Sequence, residues 1–528
     1  MSFQLPKSQS VATLQQTGPS QKLQLNLGQE VEIIWADSFL TIRPFIAPMA
    51  LKLQVWYRTL ELVQFKRVSV GRYMPLFRVE GEGADTRIVT FSGFKNFVEC
   101  WLRENAVPYK IKDIRLSFPV PRLDLVYGLR NSQPEVLMAM LTANQSCMVQ
   151  CPTRYGKTHI MANLIRAYPG LYTIMCAPNY EICRQLYVEL KALLPNRTVD
   201  ILTSEMNTAS KKMKAHPDWH PAKMPCDDIT VTTFQSLRHC YPEAARLCLV
   251  DEVHTAAAPK TVEIINSLVY ARRFGFSATT EGRFDGADLL IQGLVGPLVK
   301  KITFIDAVKE GALLPVKVHV VRSEYPAPAK RVHNDGREEL LFAKTRRKQE
   351  RDHIMLSRDR LQIWATICNE IIPKDWQTLI FVDTQEHGQI LQSVIKDSVF
   401  VMAKTFANKN DRNDFKDRMI KGEILRCIAT DIYSTGLTFP RLMAQCNACG
   451  GGGSIAATQK PGRLAGHCLE IGKTCGHLFE IFEDQVLVPK EFRYIQKDSE
   501  ARIKQFKKLK YELNQYLDVN QLKEKFKP

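Results

Sequence analysis

The chain has 528 residues, of which 45% are hydrophobic and 24% charged, and a formal net charge of +17. That length exceeds what one hydrophobic core sustains, so three or four domains are expected, and no run of about 18 apolar residues offers a membrane span. So large an excess of positive charge fits a polyanionic partner, of which nucleic acid is the commonest, while the 14 scattered cysteines fit a reducing, intracellular compartment where thiols pack as small hydrophobes.

The opening residues, MSFQLPKSQSVATLQQTGPSQ, lack a charged segment followed by an apolar one, so they read as a polar leader and not as a secretory signal. The stretches QEVEIIWAD, MALKLQVWYRTLELV, MPLFRVEGEGADTRIVTFS and YKIKDIRLSF alternate apolar and polar residues and predict strands. FKNFVECWLRENA, residues 94–106, predicts one amphipathic helix. Arg58, Lys66, Arg67 and Arg72 mix with aromatic residues here, and residues 1–122 are expected to form a small α+β accessory domain that binds DNA.

Next, SCMVQ (146–150) predicts a buried strand, and KTHIMANLIRAY (157–168) predicts a helix, apolar at Ile160, Met161, Leu164 and Ile165. Between them, CPTRYGKT departs from the phosphate-loop pattern G-x-x-x-x-G-K-[ST] at Cys151, a residue small enough to allow the turn. Backbone N–H groups and the helix N-terminus hold phosphate in such a setting. Thr153, Arg154, Tyr155 and Gly156 form the loop, Lys157 reaches the β/γ-phosphates of ATP, and Thr158 offers its hydroxyl to Mg²⁺. In RLCLVDEVH an apolar strand ends in Asp251 and Glu252, where a Mg²⁺ carboxylate and a water-orienting glutamate are needed. LYTIMCAP with NYEICRQLYVELKALL, and then ITVTTFQSL, supply the intervening units of a parallel α/β sheet.

Further on, KTRRKQERDH (344–353) predicts the start of a charged helix. Cys446, Cys449, Cys468 and Cys475 lie near His467 and His477, and C-x-x-C is a metal-ligand spacing. RLMAQCNAC nevertheless reads as a buried strand, so these thiols are expected to be structural and not zinc ligands. The tail DSEARIKQFKKLKYELNQYL has Ile503, Phe506, Leu509 and Leu513 at helical spacing between lysines.

Taken in order, these segments resemble the superfamily 2 DExH helicases and translocases. The resemblance makes CPTRYGKT motif I and implies that Gln133, in LRNSQPEVLMAML, reads adenine. APNYEICRQ (Pro178, Asn179) and TTFQSL (Thr233, Gln235) resemble motifs Ia and Ib, which contact the nucleic-acid backbone. DEVH resembles motif II, and GFSATT, with Ser277, Ala278 and Thr279, resembles motif III, which with His254 would couple ATP to the nucleic-acid track. TLIFVDTQEHGQIL resembles motif IV. ATDIYSTGLTFP resembles motif V, implying nucleic-acid contact at Thr430 and nucleotide contact at Gly436. QKPGRLAG resembles motif VI, Q-x-x-G-R-x-x-R, implying nucleotide contact at Gln459 and an arginine finger at Arg463. LLIQGLVGPLVKKITFIDAVKEGALLPVKVHVV and STGLTFPRL are most similar to the phage UvsW-type, branch-migrating recombination DNA helicases.

Two positions depart from the pattern. Gly466, followed by His467, stands where motif VI has its last arginine, so Arg463 must serve as the finger, or Arg154 or Lys460 contributes, or hydrolysis is slow. Thr438 stands where many relatives have an acid in motif V.

The resemblance implies an α/β protein of two tandem RecA-like lobes, at 123–285 and 286–487, after the accessory domain and before a basic helical tail at 488–528. Lys157, Asp251, Glu252 and Arg463 would carry ATP hydrolysis, with Thr158 and Asp251 holding Mg²⁺. The expected activity is that of a monomeric, cytoplasmic DNA helicase of a bacterial or phage-infected cell, tracking one strand of forked or junction DNA without contacting a membrane. An RNA or duplex translocase and an ATP-gated nucleic-acid-binding regulator are the alternatives.

Overall fold

The computed structural model describes residues 30–63, 66–206, 208, 229–240, 244–279, 288–325, 329–402, 405, 409–430, 439–451 and 461–527. By its contacts the chain forms two compact units, residues 1–151 with 156–302, and residues 152–155 with 303–528.

The first unit begins with strands β1 (Val31–Trp35), β2 (Phe39–Arg43), β3 (Gln54–Val63), β4 (Lys66–Pro75), β5 (Phe77–Glu80), β6 (Arg87–Phe91) and β7 (Tyr109–Asp113). Five of them make a mixed sheet in the order β5-β6-β2-β1-β7, while β3 and β4 pair with each other as an antiparallel ribbon. The helix expected at 94–106 runs Lys95–Glu104 and buries Val98 and Leu102.

The same unit continues with β8 (Cys147–Gln150), β9 (Thr173–Ala177), β10 (Val199–Leu202), β11 (Ile229–Thr233), β12 (Leu247–Asp251), β13 (Arg272–Ser277) and β14 (Leu298–Lys301). These form a seven-stranded parallel sheet in the order β10-β11-β9-β12-β13-β8-β14. TIMCA, ITVTT and LCLVD are buried at every residue, as strands covered on both faces must be. Strand β14 lies beyond the expected lobe boundary at residue 285, because its backbone completes the edge beside β8.

The accessory sheet does not keep a core to itself. Ile33, Leu40, Phe91, Phe94 and Val98 belong to one continuous cluster with Cys176, Val250, Leu290 and Leu294. Approach is closest at two glycines. A Cβ on Gly93 would lie 2.8 Å from the backbone nitrogen of Gly296, and one on Gly293 would meet the Phe94 ring at 2.6 and 2.7 Å. The connecting segment is pinned by arginine–aromatic stacking, with Arg115 3.4 Å over Trp35 and Arg272 3.8 Å over Phe118.

In the second unit, β15 (Val316–Glu324), β16 (Ala329–Val332), β17 (Glu338–Leu341), β18 (Gln377–Phe381), β19 (Ser398–Val401), β20 (Arg426–Ala429), β21 (Leu442–Asn447), β22 (Gly476–Asp484) and β23 (Glu512–Tyr516) follow. Seven of them form a second parallel sheet, β19-β20-β18-β21-β22-β15-β23. These two sheets, flanked by helices, are tandem RecA-like lobes. The charged helix expected at 344–353 begins at Arg346–Gln349 and passes into a wider turn over Glu350–Met355.

The tail is not wholly helical. Its helix, Tyr494–Lys508, stops before Lys510, whose φ is +54°, and the next residues add β23 to the exposed edge of β15. Unpaired backbone groups on that edge gain partners this way. Beside it lies a fully buried charge network in which Glu483 accepts from Arg360 at 2.9 Å and from Arg502 at 3.3 Å, while Arg502 also pairs with Glu480 at 3.1 Å. No helix among the described residues is long and apolar enough to cross a membrane.

Candidate nucleotide site and nucleic-acid groove

Strand β8 leads directly into the phosphate loop. Cys151 is fully buried and its N–H donates to the Ser277 carbonyl at 2.9 Å, so the loop base is fixed to the end of β13. Burial pushes the Cys151 thiol up to about 12, which keeps it neutral. Gly156 has φ +91°, a conformation open to glycine, and a Cβ there would fall 2.5 Å from the Gln133 amide nitrogen. Gln133 is itself 2% exposed, and its carbonyl accepts from the Arg130 N–H. The helix Lys157–Ala167 starts at Gly156 with no side-chain cap, leaving its first backbone donors to a ligand, and Thr158 lies in the first turn.

Asp251 and Glu252 stand at the end of β12. The Lys157 ammonium lies 3.4 Å from Glu252. Burial alone would lower the Lys157 pKa, but Glu252 and Asp251 outweigh it and the net direction is up. Asp251 is pushed up to about 7, first by burial and then by the charge of Glu252, with Lys157 opposing. Its Oδ1 is buried with no hydrogen-bond partner among the described residues. Such an orphaned carboxylate oxygen, beside the phosphate-loop lysine, fits a hard divalent cation. Mg²⁺ would be held by Thr158 and Asp251.

Glu252 has φ +49°, a strained backbone for a side-chain-bearing residue, of the kind that accumulates at functional sites. Next to it, His254 Nδ1 lies 3.3 Å from Glu252 and 2.8 Å from Ser277 Oγ. Ser277 Oγ in turn donates to the Thr279 carbonyl at 2.7 Å and accepts from the Thr279 N–H at 3.1 Å. Ala278 sits buried between them. The DEVH and SAT segments are thus one hydrogen-bonded unit.

A separate open groove of about 600 Å³ brings together Pro178, Asn179, Thr233 and Gln235. Asn179 caps the helix Tyr180–Leu193, its side chain accepting from the Ile182 N–H. The groove also presents Arg238 and His239, which sequence reasoning missed although they directly follow TTFQSL. Arg58, Lys66 and Arg67 lie on the β3–β4 ribbon, where Arg67 is opposite Leu62 and Lys66 opposite Val63.

In the second unit Arg463 opens a short 3₁₀ turn, Arg463–Ala465, and is 4% exposed. Thr430 directly follows β20. Gly436, Thr438, Gln459 and Lys460 lie outside the described residues. The four cysteines do not converge. Cys446 contacts Cys368 at 3.8 Å, Cys449 donates to the Asn447 side chain, and Cys475 faces His477 at 3.2 Å. Among the described residues no histidine, cysteine and carboxylate group has metal-binding geometry.

Residues 126–282 match the family described as Type III restriction enzyme, res subunit. No curated protein sequence matches the chain. Its fold is similar to S. cerevisiae Dbp5 bound to RNA and ADP BeF3, at 12% identity and TM-score 0.50, covering 75% of this chain and 92% of that one. It is also similar to the ATP-dependent Type ISP restriction-modification enzyme LlaBIII bound to DNA, at 14% identity and TM-score 0.52, covering 80% of this chain but 34% of that one. T4 UvsW is 15% identical over 93% of this chain and 100% of its own, with TM-score 0.37. The phosphate loop and carboxylate pair lie at the carboxyl ends of one parallel sheet, a second such sheet follows it, and the family match runs across the first, so the chain has a tandem RecA-like fold.

Proposed function

We propose that the protein is an ATP-driven DNA helicase or translocase that remodels forked and junction DNA. The observation that carries the reading is the cluster of Lys157, Asp251, Glu252, His254 and Ser277 at the ends of β8, β12 and β13. Lys157 binds the phosphates, Glu252 orients and deprotonates the attacking water, and Arg463 neutralises charge on the transferring phosphoryl group. Bound Mg²⁺, held by Thr158 and Asp251, would neutralise phosphate charge. The Gln133 amide, packed against Gly156, reads adenine.

His254 passes the state of this cluster to Ser277, whose carbonyl anchors the loop at the end of β13, and through it to Thr279. The groove at Pro178, Asn179, Thr233 and Gln235, with Arg238 added, tracks one strand through its phosphates. A net charge of +17 supports a nucleic-acid partner, and the basic ribbon residues Arg58, Lys66 and Arg67 make residues 1–122 the part that grips a second arm. Kinship with the phage branch-migrating enzymes rests on the segments at residues 289–321 and 434–442.

The test is a strand-displacement panel with ATP and the full chain: a DNA fork, a four-way junction, a flap and an RNA duplex. Preferential displacement on the fork and junction supports the reading. Preference for the RNA duplex, or ATP hydrolysis without displacement on any substrate, replaces it with one of the two alternatives.

A further inference from the structure

Arg154 and Gly466 each occupy a backbone that suits the other residue better. Arg154 has φ +68°, the left-handed region in which side chains are strained and glycine is not. Gly466 has φ −74° and ψ 141°, which any residue adopts. What forbids a side chain at Gly466 is space. A Cβ there would fall into the Arg154 guanidinium, 2.7 Å from its Cδ and 2.9 Å from its Cζ.

The other end of the Arg463–Ala465 turn repeats the pattern. Gly462 also has an ordinary backbone, with φ −55°, and a Cβ there would lie 3.0 Å from Cβ of Thr153 and 3.2 Å from its hydroxyl. The turn that carries Arg463 is therefore clasped between two glycines, each giving way to one of two consecutive loop residues. By their contacts residues 152–155 group with the second unit, to which this turn belongs. Arg154 is anchored there by a 3.1 Å hydrogen bond from Nη2 to the Phe439 carbonyl.

Charge gives the same answer. Burial draws the Arg154 pKa down to about 10, so the group stays cationic at neutral pH. Lys473, whose ammonium donates to the Leu442 carbonyl at 2.6 Å, is drawn down to about 7, first by burial and then by Arg154. An arginine at position 466 beside Arg154 would add a third cation to this buried neighbourhood, and like charges there are costly.

We propose that Arg154 and Gly466 are an exchanged pair: the cation that the resembling motif carries at the 466 position is supplied here from the phosphate loop. Arg154 is then a positioning residue, holding the turn of Arg463 to the loop that binds phosphate. This inference rests on the ATPase reading above.

The test is an exchange cycle in the full chain, read by ATP turnover with a single-stranded oligo-dT and by thermal unfolding. Arg154→Ala should lose about tenfold or more in kcat with KM for ATP within about threefold. Gly466→Arg alone should lower both turnover and the unfolding temperature. The double variant Arg154→Gly with Gly466→Arg should regain both. If Arg154→Ala turns over like the wild type, or the double variant is no better than Gly466→Arg, the exchange is wrong. Should Arg154→Ala fold poorly, Arg154→Lys must outpace the uncharged Arg154→Met, and equal rates overturn the role of the charge. A wild-type chain inert toward ATP would sink the ATPase reading itself, and the recovery of thermal stability in the double variant would still decide the pairing.

Discussion

Phe94→Ala should destabilise the whole first unit and not the accessory sheet alone. The ring is fully buried, lies 6.2 Å from Phe91 and 6.0 Å from Phe97, and fills the space left by the missing side chain of Gly293. Gly293 sits on the helix Asp288–Val295, whose Leu290 and Leu294 share a core with Val250 at the end of β12. Truncating a buried phenylalanine costs about 3–5 kcal/mol, the upper end applying where neighbours cannot collapse into the cavity. Here they are backbone and strand, so about 4 kcal/mol is expected. Urea unfolding followed by circular dichroism should show one transition at lower midpoint with unchanged slope. A loss under about 1 kcal/mol, or a separate early transition that spares the motor sheet, would refute the shared core. It also follows that starting the chain near Leu123 exposes Leu290 and Leu294, so truncation confounds loss of the proposed DNA grip with loss of stability.

Three further outcomes follow from the same geometry. Glu252→Gln should bind ATP with near-normal affinity but hydrolyse it very slowly, since Lys157 and Asp251 remain; loss of binding with normal turnover per bound ATP would show the roles misassigned. Arg463→Ala should lower turnover by roughly 10³-fold, as for other arginine fingers, and a loss under about tenfold would shift the role to another cation. Burial first of all lowers the pKa of His319 and His387 to about 3, and of His353 and His477 to about 4, so the unfolded chain binds more protons below about pH 6.5 and stability falls on acidification. At pH 5 each contributes up to about 2 kcal/mol of loss. His387→Leu removes one such group, whose two ring nitrogens have no partner among the described residues, and should flatten the profile between pH 7 and 5; an unchanged slope would contradict the assignment.

The candidate nucleotide site was legible because phosphate chemistry restricts residue types at one strand–loop–helix junction: Gly156, Lys157 and Thr158 on one side, Asp251 and Glu252 on the other. The hydrogen bond between His254 and Ser277 follows from neighbouring strands, which motif order implies. Other features depend on contacts far apart in sequence. The helical spacing of Ile503, Phe506 and Leu509 runs on to Leu513, and only the turn at Lys510 and the open edge of β15 convert that residue to strand. Nothing local in FSGF shows that Gly93 packs against the backbone at Gln292 and Gly296. Arg154 and Gly466 each read as a local oddity until they are seen in contact.

The most direct test of the central claim is ATP hydrolysis by the full chain with and without single-stranded DNA, beside Lys157→Ala. A nucleic-acid-stimulated rate that falls by about a hundredfold or more in the variant, while DNA binding stays within about threefold, is the predicted result. Equal hydrolysis by both proteins, or a rate indifferent to nucleic acid, would contradict the claim that the cluster at β8, β12 and β13 drives a nucleic-acid motor.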